Sequence, residues 1–499
     1  MAPTNKINLV PLLLLVFALT LLAGCGGSAR PDPPAPPTPS PLDAGNLNLI
    51  FVVSEDLAYQ DAGDVNPKTA NLTSKGLQRS LLMATFLKQK VLGTKNVNGI
   101  YALEPMTHLQ TASLYPDLVA LETVQQFAML NQITLSPNSQ GASPYTGNSY
   151  PINASYGPGS VPGGVAAPSP LYPCPECQGL DFQDREGNNE DLLNSIVKAN
   201  TTGFYVFSAP WETISSLLAK FNQQAGYNLH VPATYAGPNY IYAISIAPAG
   251  NASLVTYNSN LNPPASYPVL PPPPIVAAPC TAQTHFSLVV TGGEGGAVIP
   301  AGTNTNETVY WIRHAEAHPQ NWWEEGNYVG AGQWRALDLP NALRGKISPN
   351  QVYSIDPAQV IPSKDSASGD FAWSYVRPSL TAEPYAIANG LPFNLAANFL
   401  MIDQNPPQLS TVASDYFFNG GKFSNQTLLV AWEHDHIPPT VNALLASYHG
   451  NVQPAPVWPE DDYDTIWTVK LDAHGNLTVN NAMCEGIQSV PMSAAAPQF

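Results

Sequence analysis

Two stretches of the chain repeat one order of hydrophobic blocks. Asn48-Leu49-Ile50-Phe51-Val52-Val53 is an apolar run bounded by polar turns, and Thr308-Val309-Tyr310-Trp311-Ile312 is a second. Runs of this length, rich in β-branched and aromatic residues, predict buried strands. Each leads through a polar turn into a helical pattern, Ser74 to Lys90 in the first half and Ala331 to Leu343 in the second. Short strands follow at Gly99-Ile100-Tyr101-Ala102 and at Gln351-Val352-Tyr353-Ser354. Each half then reaches a strand that runs into an amphipathic helix: Gly203 to Ser208 into Thr213 to Phe221, and Thr427 to Trp432 into Val441 to Tyr448. Strands alternating with helices predict an α/β fold with a parallel sheet, and two complete passes predict a tandem pair of related domains.

Proline and glycine divide these blocks. Much of the chain's 51 Pro and 36 Gly sits in tracts that cannot build a core. Residues 26–45 form a Pro-rich tether, 137–173 a surface insertion, and 261–283 a Pro-rich linker. The domains are thereby expected at 46–260 and 284–499. Residues 1–25 carry Lys6, an apolar run from Leu9 to Leu22, and the ending Leu22-Ala23-Gly24-Cys25. That is the pattern of a lipoprotein signal peptide. The run is too short to stay as a membrane span, so cleavage leaves Cys25 as an acylated N-terminus, and several acyl chains together hold a protein on a bilayer. Gly26 in place of an aspartate resembles lipoproteins of the bacterial outer membrane. The expected location is therefore the cell envelope, lipid-anchored and facing the periplasm.

The formal charge of -17 at pH 7 repels phosphate backbones and argues against a nucleic-acid partner. Any phosphate site must be a small, local pocket of positive charge. With Cys25 acylated, Cys174, Cys177, Cys280 and Cys484 remain, an even number in an oxidising compartment, so two disulfides are expected. Cys280 and Cys484 lie near the two ends of the second domain and are placed to close it into a loop. Cys174 and Cys177 form a CPEC pair, for which zinc binding or thiol exchange is the alternative; no second ligand pair completes a zinc site.

Chemistry concentrates in the second domain. Its first strand ends in Ile312-Arg313-His314-Ala315-Glu316-Ala317-His318-Pro319, and its last ends in Trp432-Glu433-His434-Asp435-His436. Between them, Tyr375-Val376-Arg377-Pro378-Ser379-Leu380-Thr381-Ala382-Glu383 opens a helix. Ligands of open α/β sheets bind at the carboxyl ends of strands, where these groups are expected to meet. Planar guanidinium groups give bidentate donors to phosphate oxygens, and a neutral imidazole is a nucleophile at mild pH.

These motifs, in this order over about residues 300–470, resemble the histidine phosphatase superfamily, the group related to phosphoglycerate mutases and acid phosphatases. Gly332 and Arg335, in GAGQWRALDLP, are similar to that family's second-helix signature. The resemblance implies two phosphoglycerate-mutase-like α/β/α sandwich domains, each with a mostly parallel sheet. It implies a phosphohydrolase in which His314 becomes a phosphohistidine, Arg313 and Arg377 clamp the phosphoryl group and His434 donates to it. Asp435 is then the general acid, with Glu383, Asp403 and Glu433 as alternatives, while Glu433 and His318 add substrate contacts. No metal or cofactor is called for. The partners implied are a small phosphomonoester and the membrane at the lipid anchor. Ala315 departs from the family, which usually has Gly there, and His318 stands where an Arg is more usual.

The first domain keeps the frame without the groups. Aligning Val53-Ser54-Glu55-Asp56 with Ile312-Arg313-His314-Ala315 puts a carboxylate, Glu55, at the nucleophile's place. Pro105-Met106-Thr107-His108-Leu109-Gln110-Thr111-Ala112 resembles the middle helix start, with His108 where Arg is usual, and Phe207-Ser208-Ala209-Pro210 offers no histidine. This half is expected to be inert and to pair with its neighbour inside the chain. The alternative reading is a lipoprotein in which neither half is catalytic and the paired domains bind or scaffold a partner. The anchoring expectation is tested by fractionation: Cys25→Ser should lose lipid labelling and leave the membrane fraction, and a variant that still sediments with membranes carries another anchor.

Overall fold

The computed structural model describes residues 39–131, 133–134, 148–155, 179–271, 280, 285–317, 326–358, 360–362, 372–396, 407–488 and 495–499. Cys25, Cys174, Cys177, His318, Asp403 and most of the 137–173 tract lie outside the described residues.

The first half builds β1 (Leu47–Val53), α1 (Ser74–Phe86), β2 (Gly99–Ala102), α2 (Val119–Met129), α3 (Asn188–Ala199), β3 (Gly203–Ala209), α4 (Trp211–Ala225), β4 (Tyr240–Ile246) and β5 (Ala252–Asn258). Every residue of β1 is buried, because helices cover both faces of the sheet. Ile50 and Val52 point to Met83, Leu87 and Leu121 on one side. Leu49, Phe51 and Val53 meet Leu193, Ile214 and Leu218 on the other. Alternation of this kind makes one continuous apolar run serve two cores. Helix α1 starts where Thr73 Oγ1 accepts the Gly76 N–H at 3.3 Å, a side-chain cap that satisfies a donor the first turn cannot.

The second half builds β6 (Ser287–Val290), β7 (Glu307–Arg313), α5 (Gly330–Ala342), β8 (Gln351–Ile355), α6 (Arg377–Asn389), β9 (Phe393–Ala396), α7 (Pro407–Phe418), β10 (Thr427–Trp432), α8 (Ile437–Ser447), β11 (Thr465–Leu471) and β12 (Leu477–Cys484). Among the described residues the first sheet has the order β2-β3-β1-β4-β5 and the second β9-β8-β10-β7-β11-β12-β6. The inner five of the second, β8-β10-β7-β11-β12, repeat the first strand for strand. In both, the first three run parallel and the last two are added antiparallel. Both halves are thus α/β sandwiches of one topology. Cys280 and Cys484 are disulfide-bonded, with Cα atoms 5.6 Å apart.

One segment differs from expectation. Gln110-Thr111-Ala112 does not start a helix: Leu109–Gln110 pairs with Tyr115–Pro116 as a short hairpin, and α2 begins only at Val119. The turn holds Thr111 at φ 65° and Leu114 at φ 56°, left-handed conformations that no right-handed helix accommodates.

Helices α1 and α2 face α5 and α6, and one apolar cluster runs through all four, from Met83 and Leu121 to Ala336 and Leu380. Polar pairs stitch the same boundary: Gln125 Nε2 donates to Asn327 Oδ1 at 3.0 Å, Gln333 Nε2 to Gln126 Oε1 at 2.8 Å, and Ser149 Oγ to Tyr328 O at 2.9 Å. Four buried carboxyl groups also meet there. Burial, and then its neighbour Glu122, hold Glu383 well above the carboxylate range, while burial pushes Glu122 itself up to about 8. Glu104 and Asp356, which follow the equivalent strands β2 and β8, form a second pair. Burial and the facing Asp356 raise Glu104, and burial raises Asp356 to about 6.

These acids bind protons more tightly in the fold than in the unfolded chain. Their contribution is therefore complete at or below the ordinary carboxylate pKa and is lost as pH rises through about 6 and about 8. Thermal stability should fall between about pH 5 and about pH 9. Glu383→Gln, which mimics the protonated acid, should raise the melting temperature at about pH 8 and change it little at about pH 5. A wild-type melting temperature that is flat over this range contradicts the assignment.

Candidate active site

Parallel pairing of β7 with β10 brings the two histidine motifs to one sheet edge. Arg313 lies opposite Trp432 in register, and the His314 N–H donates to Trp432 O at 2.9 Å. Ala315 N–H then donates to Thr381 Oγ1 at 2.8 Å, and that hydroxyl donates to Arg377 O at 2.7 Å. The loop after β7 is thereby tied to the first turn of α6, where Arg377 stands.

His314 is 2% exposed. Its Nδ1 lies 2.8 Å from Ala315 O; a carbonyl only accepts, so Nδ1 carries the proton and Nε2 keeps its lone pair. Burial, followed by the charges of Arg377 and Arg313, holds the imidazole well below its usual pKa. It is neutral at mild pH. Tyr375 and Tyr463 pack on the ring with centroids 6.0 and 6.1 Å away.

The two arginines are fixed differently. The Arg313 guanidinium lies over the Tyr463 ring at 3.8 Å, and its amino groups donate to Tyr463 Oη at 3.1 Å and to the carbonyls of Glu460 and Asp462. Arg377 stacks over Tyr375 at 4.9 Å and donates to Asn327 O at 3.5 Å. Arg313 Nε finds no partner among the described residues.

Across from them, one ring nitrogen of His434, one of His314 and a Glu433 oxygen all lie within 4.8 Å of one another. Glu433 grips two imidazoles: Oε1 is 2.5 Å from His434 Nδ1, Oε2 is 2.7 Å from His436 Nδ1, and Oε2 also accepts the Asp435 N–H at 2.7 Å. Burial opposes its ionisation, but these hydrogen bonds and the two histidines hold it well below the carboxylate range. Glu433 thus contacts both imidazoles and is hydrogen-bonded to His436. Asp435 is 49% exposed at its side chain and lies 3.4 Å from His434 Nε2 through Oδ1. The His314, Glu433 and His434 atoms are close enough to share a cation, yet Arg313 and Arg377 beside them give the pocket positive charge and favour an anion.

Arg313, His314, Arg377, Glu433, His434 and Asp435 therefore converge. Glu383 does not join them; it is buried in the boundary between the halves. Arg335 lies behind the site, fully buried, where it donates to Glu316 Oε1 at 2.8 Å, to Glu485 and to Ile487 O at 3.2 Å. Gly332 lets α5 approach closely, since a Cβ there would stand 2.7 Å from Tyr328 and 3.0 Å from Glu316 O. Tyr463 and Asn327 were not foreseen, because each reaches the site from a loop whose sequence spacing carries no motif.

The strand ladder corrects the alignment of the first half by one residue. Ser54 N–H donates to Ala209 O at 3.0 Å, as His314 does to Trp432 O. Ser54, not Glu55, occupies the position of His314, and Pro210, Trp211 and Glu212 take those of Glu433, His434 and Asp435. Arg79 stands in for Arg335, bound to Asp64 at 2.6 Å and to Asp61 at 3.1 Å.

No protein-family profile and no curated protein sequence matches the chain. Solved structures similar to it include the phosphoglycerate mutase of Plasmodium falciparum, at 12% identity over 39% of this chain and 94% of that one, with a TM-score of 0.22. Others are proteins described as SixA phosphohistidine phosphatases. The one from Agrobacterium tumefaciens matches at 15% identity over 33% and 92%, TM-score 0.20. That from Nakamurella multipartitia matches at 13% over 40% and 96%, TM-score 0.22. Scores this low carry no functional argument, which rests on the side chains alone. These three structures belong to the histidine phosphatase superfamily, the family that the motifs at Arg313-His314, Arg377 and His434 resemble.

Proposed function

We propose that the second half hydrolyses phosphomonoesters through a phosphohistidine on His314, and that the first half turns over nothing. The observation that carries this reading is the protonated Nδ1 of His314 at Ala315 O, which leaves a neutral nucleophilic Nε2 between two guanidinium groups. Arg313 and Arg377 would bind the nonbridging oxygens of the ester. His314 Nε2 attacks phosphorus in line, the P–N bond forms and the P–O bond to the alcohol breaks. His434, oriented by Glu433, donates to the transferring group as negative charge spreads over its oxygens. Asp435, at the mouth and beside His434, protonates the departing alkoxide, then as a carboxylate takes a proton from the water that attacks phosphorus and cleaves the P–N bond. The arginines supply the positive charge, so the chemistry calls for no metal or cofactor. In the first half Ser54 and Trp211 replace both histidines, which removes nucleophile and donor together.

The same proposal places the protein in the bacterial envelope, anchored by lipid on Cys25 and facing the periplasm. The signal pattern of residues 1–25 supports this, and the Cys280–Cys484 disulfide suits an oxidising compartment. No helix among the described residues is long and apolar enough to cross a membrane.

Phosphate release from an aryl phosphate, measured from acid to neutral pH, tests the function. His314→Ala should abolish turnover, and Arg377→Ala should lower it by about 100-fold or more, the usual effect of removing a donor to developing charge. Wild-type rates in folded His314→Ala would sink the mechanism, and absence of phosphate release from the wild-type protein would favour the binding or scaffolding role.

A further inference from the structure

At the edge of the first sheet, where the second half gathers positive charge, the first half gathers negative charge around one imidazole. His108 Nδ1 lies 2.8 Å from Asp117 Oδ2, and its Nε2 lies 3.8 Å from Asp56 Oδ2. Ligand atoms, one each from Asp56, His108 and Asp117, lie within 4.8 Å of one another. We infer that this cluster is a site for a divalent transition-metal ion such as Zn2+, held by His108 Nε2 and Asp56 Oδ2 and completed by water.

The two separations mean different things. Contact at 2.8 Å is a hydrogen bond, whereas 3.8 Å is too long for one. It is close to the distance between two ligands of a single ion: with bonds of about 2.0–2.1 Å, two ligands of a tetrahedral Zn2+ stand about 3.4 Å apart. A side-chain shift of a few tenths of an ångström closes the difference. Asp117 then has the role that carboxylates commonly take behind a metal-bound histidine, accepting the Nδ1–H and turning the Nε2 lone pair toward the ion.

Both ligands are held in place. Asp56 Oδ1 accepts the N–H groups of Ala58 at 2.6 Å and Tyr59 at 3.0 Å, which leaves Oδ2 for the histidine side. Phe182 stacks on the His108 ring at 3.7 Å with the planes 7° apart. Asp56 and Asp117 are almost fully buried. The charges that act most strongly on His108 are Asp117, Asp56 and Glu212, and those on Asp56 are Asp117 and His108. Three carboxylates thus surround one imidazole. Glu212 adds an oxygen, Oε2, that has no partner among the described residues. A dication offsets this charge; imidazole with carboxylate selects Zn2+ and its neighbours over Mg2+.

Titration of chelator-treated, tag-free mature protein with ZnCl2, followed by calorimetry and by melting temperature, tests the assignment. Wild type should bind Zn2+ at this site and melt higher with it, and binding should weaken from about pH 7.5 to about pH 5.5 as protons compete for His108. His108→Gln and Asp56→Asn should each lose the binding, and Asp117→Asn should weaken it by about 10–100-fold. His434→Ala, which disrupts the His314, Glu433 and His434 group instead, should keep it. Absence of Zn2+ binding to wild type overturns the proposal. So does binding that survives in folded His108→Gln and Asp56→Asn, or that is lost only in His434→Ala.

Discussion

The contact between His314 Nδ1 and Ala315 O constrains everything else at the second sheet's edge. It assigns the proton to one nitrogen and the lone pair to the other, and it holds the ring while burial, and then two guanidinium groups, disfavour its protonation. That arrangement works only because β7 and β10 end in register and because Thr381 ties the loop after β7 to α6. Behind this shell the buried Arg335 group, with Glu316 and Glu485, joins the same loop to α5 and to the segment after β12. The two networks meet in the loop after β7, where Ala315 is bonded to Thr381 and Glu316 to Arg335.

The two halves share a strand order and differ in charge. One keeps histidines at both strand ends and arginines between them. The other has Ser54 and Trp211 there, with Asp56, Asp117 and Glu212 around His108. In the proposed mechanism those replacements would remove phosphate chemistry from the first half while its strand order is kept. What the halves still share is the helical face through which they pack, where paired buried acids lie among apolar contacts and amide hydrogen bonds.

Strands β1, β3, β7 and β10 were legible as continuous apolar runs, because a strand covered on both faces has no polar side. The antiparallel additions β4, β5, β11 and β12 were not foreseen. Thr465–Leu471 and Leu477–Cys484 intersperse polar residues, and their pairing joins positions as distant as Glu307 and Leu471. Residue identity singled out Arg313, His314, Arg377 and His434, which the fold brings together. The role of Glu433 escaped that logic, because only side-chain geometry shows one carboxylate holding two imidazoles. The one-residue error at Ser54 has the same origin: the acidic residues after β1 drew the alignment, whereas backbone hydrogen bonds fix it. Sequence alone also could not show that His108 stands between a short turn and a hairpin ahead of α2.

The proposed intermediate is covalent. Rapid quenching of the enzyme during turnover of an aryl phosphate, followed by peptide mass spectrometry at alkaline pH, reads it directly. The account predicts a phosphoryl group on the peptide that contains His314, lost on acid treatment as a P–N bond requires and absent from His314→Ala. A phosphoryl group on another residue, or turnover with no protein-bound phosphate at any quench time, would contradict it.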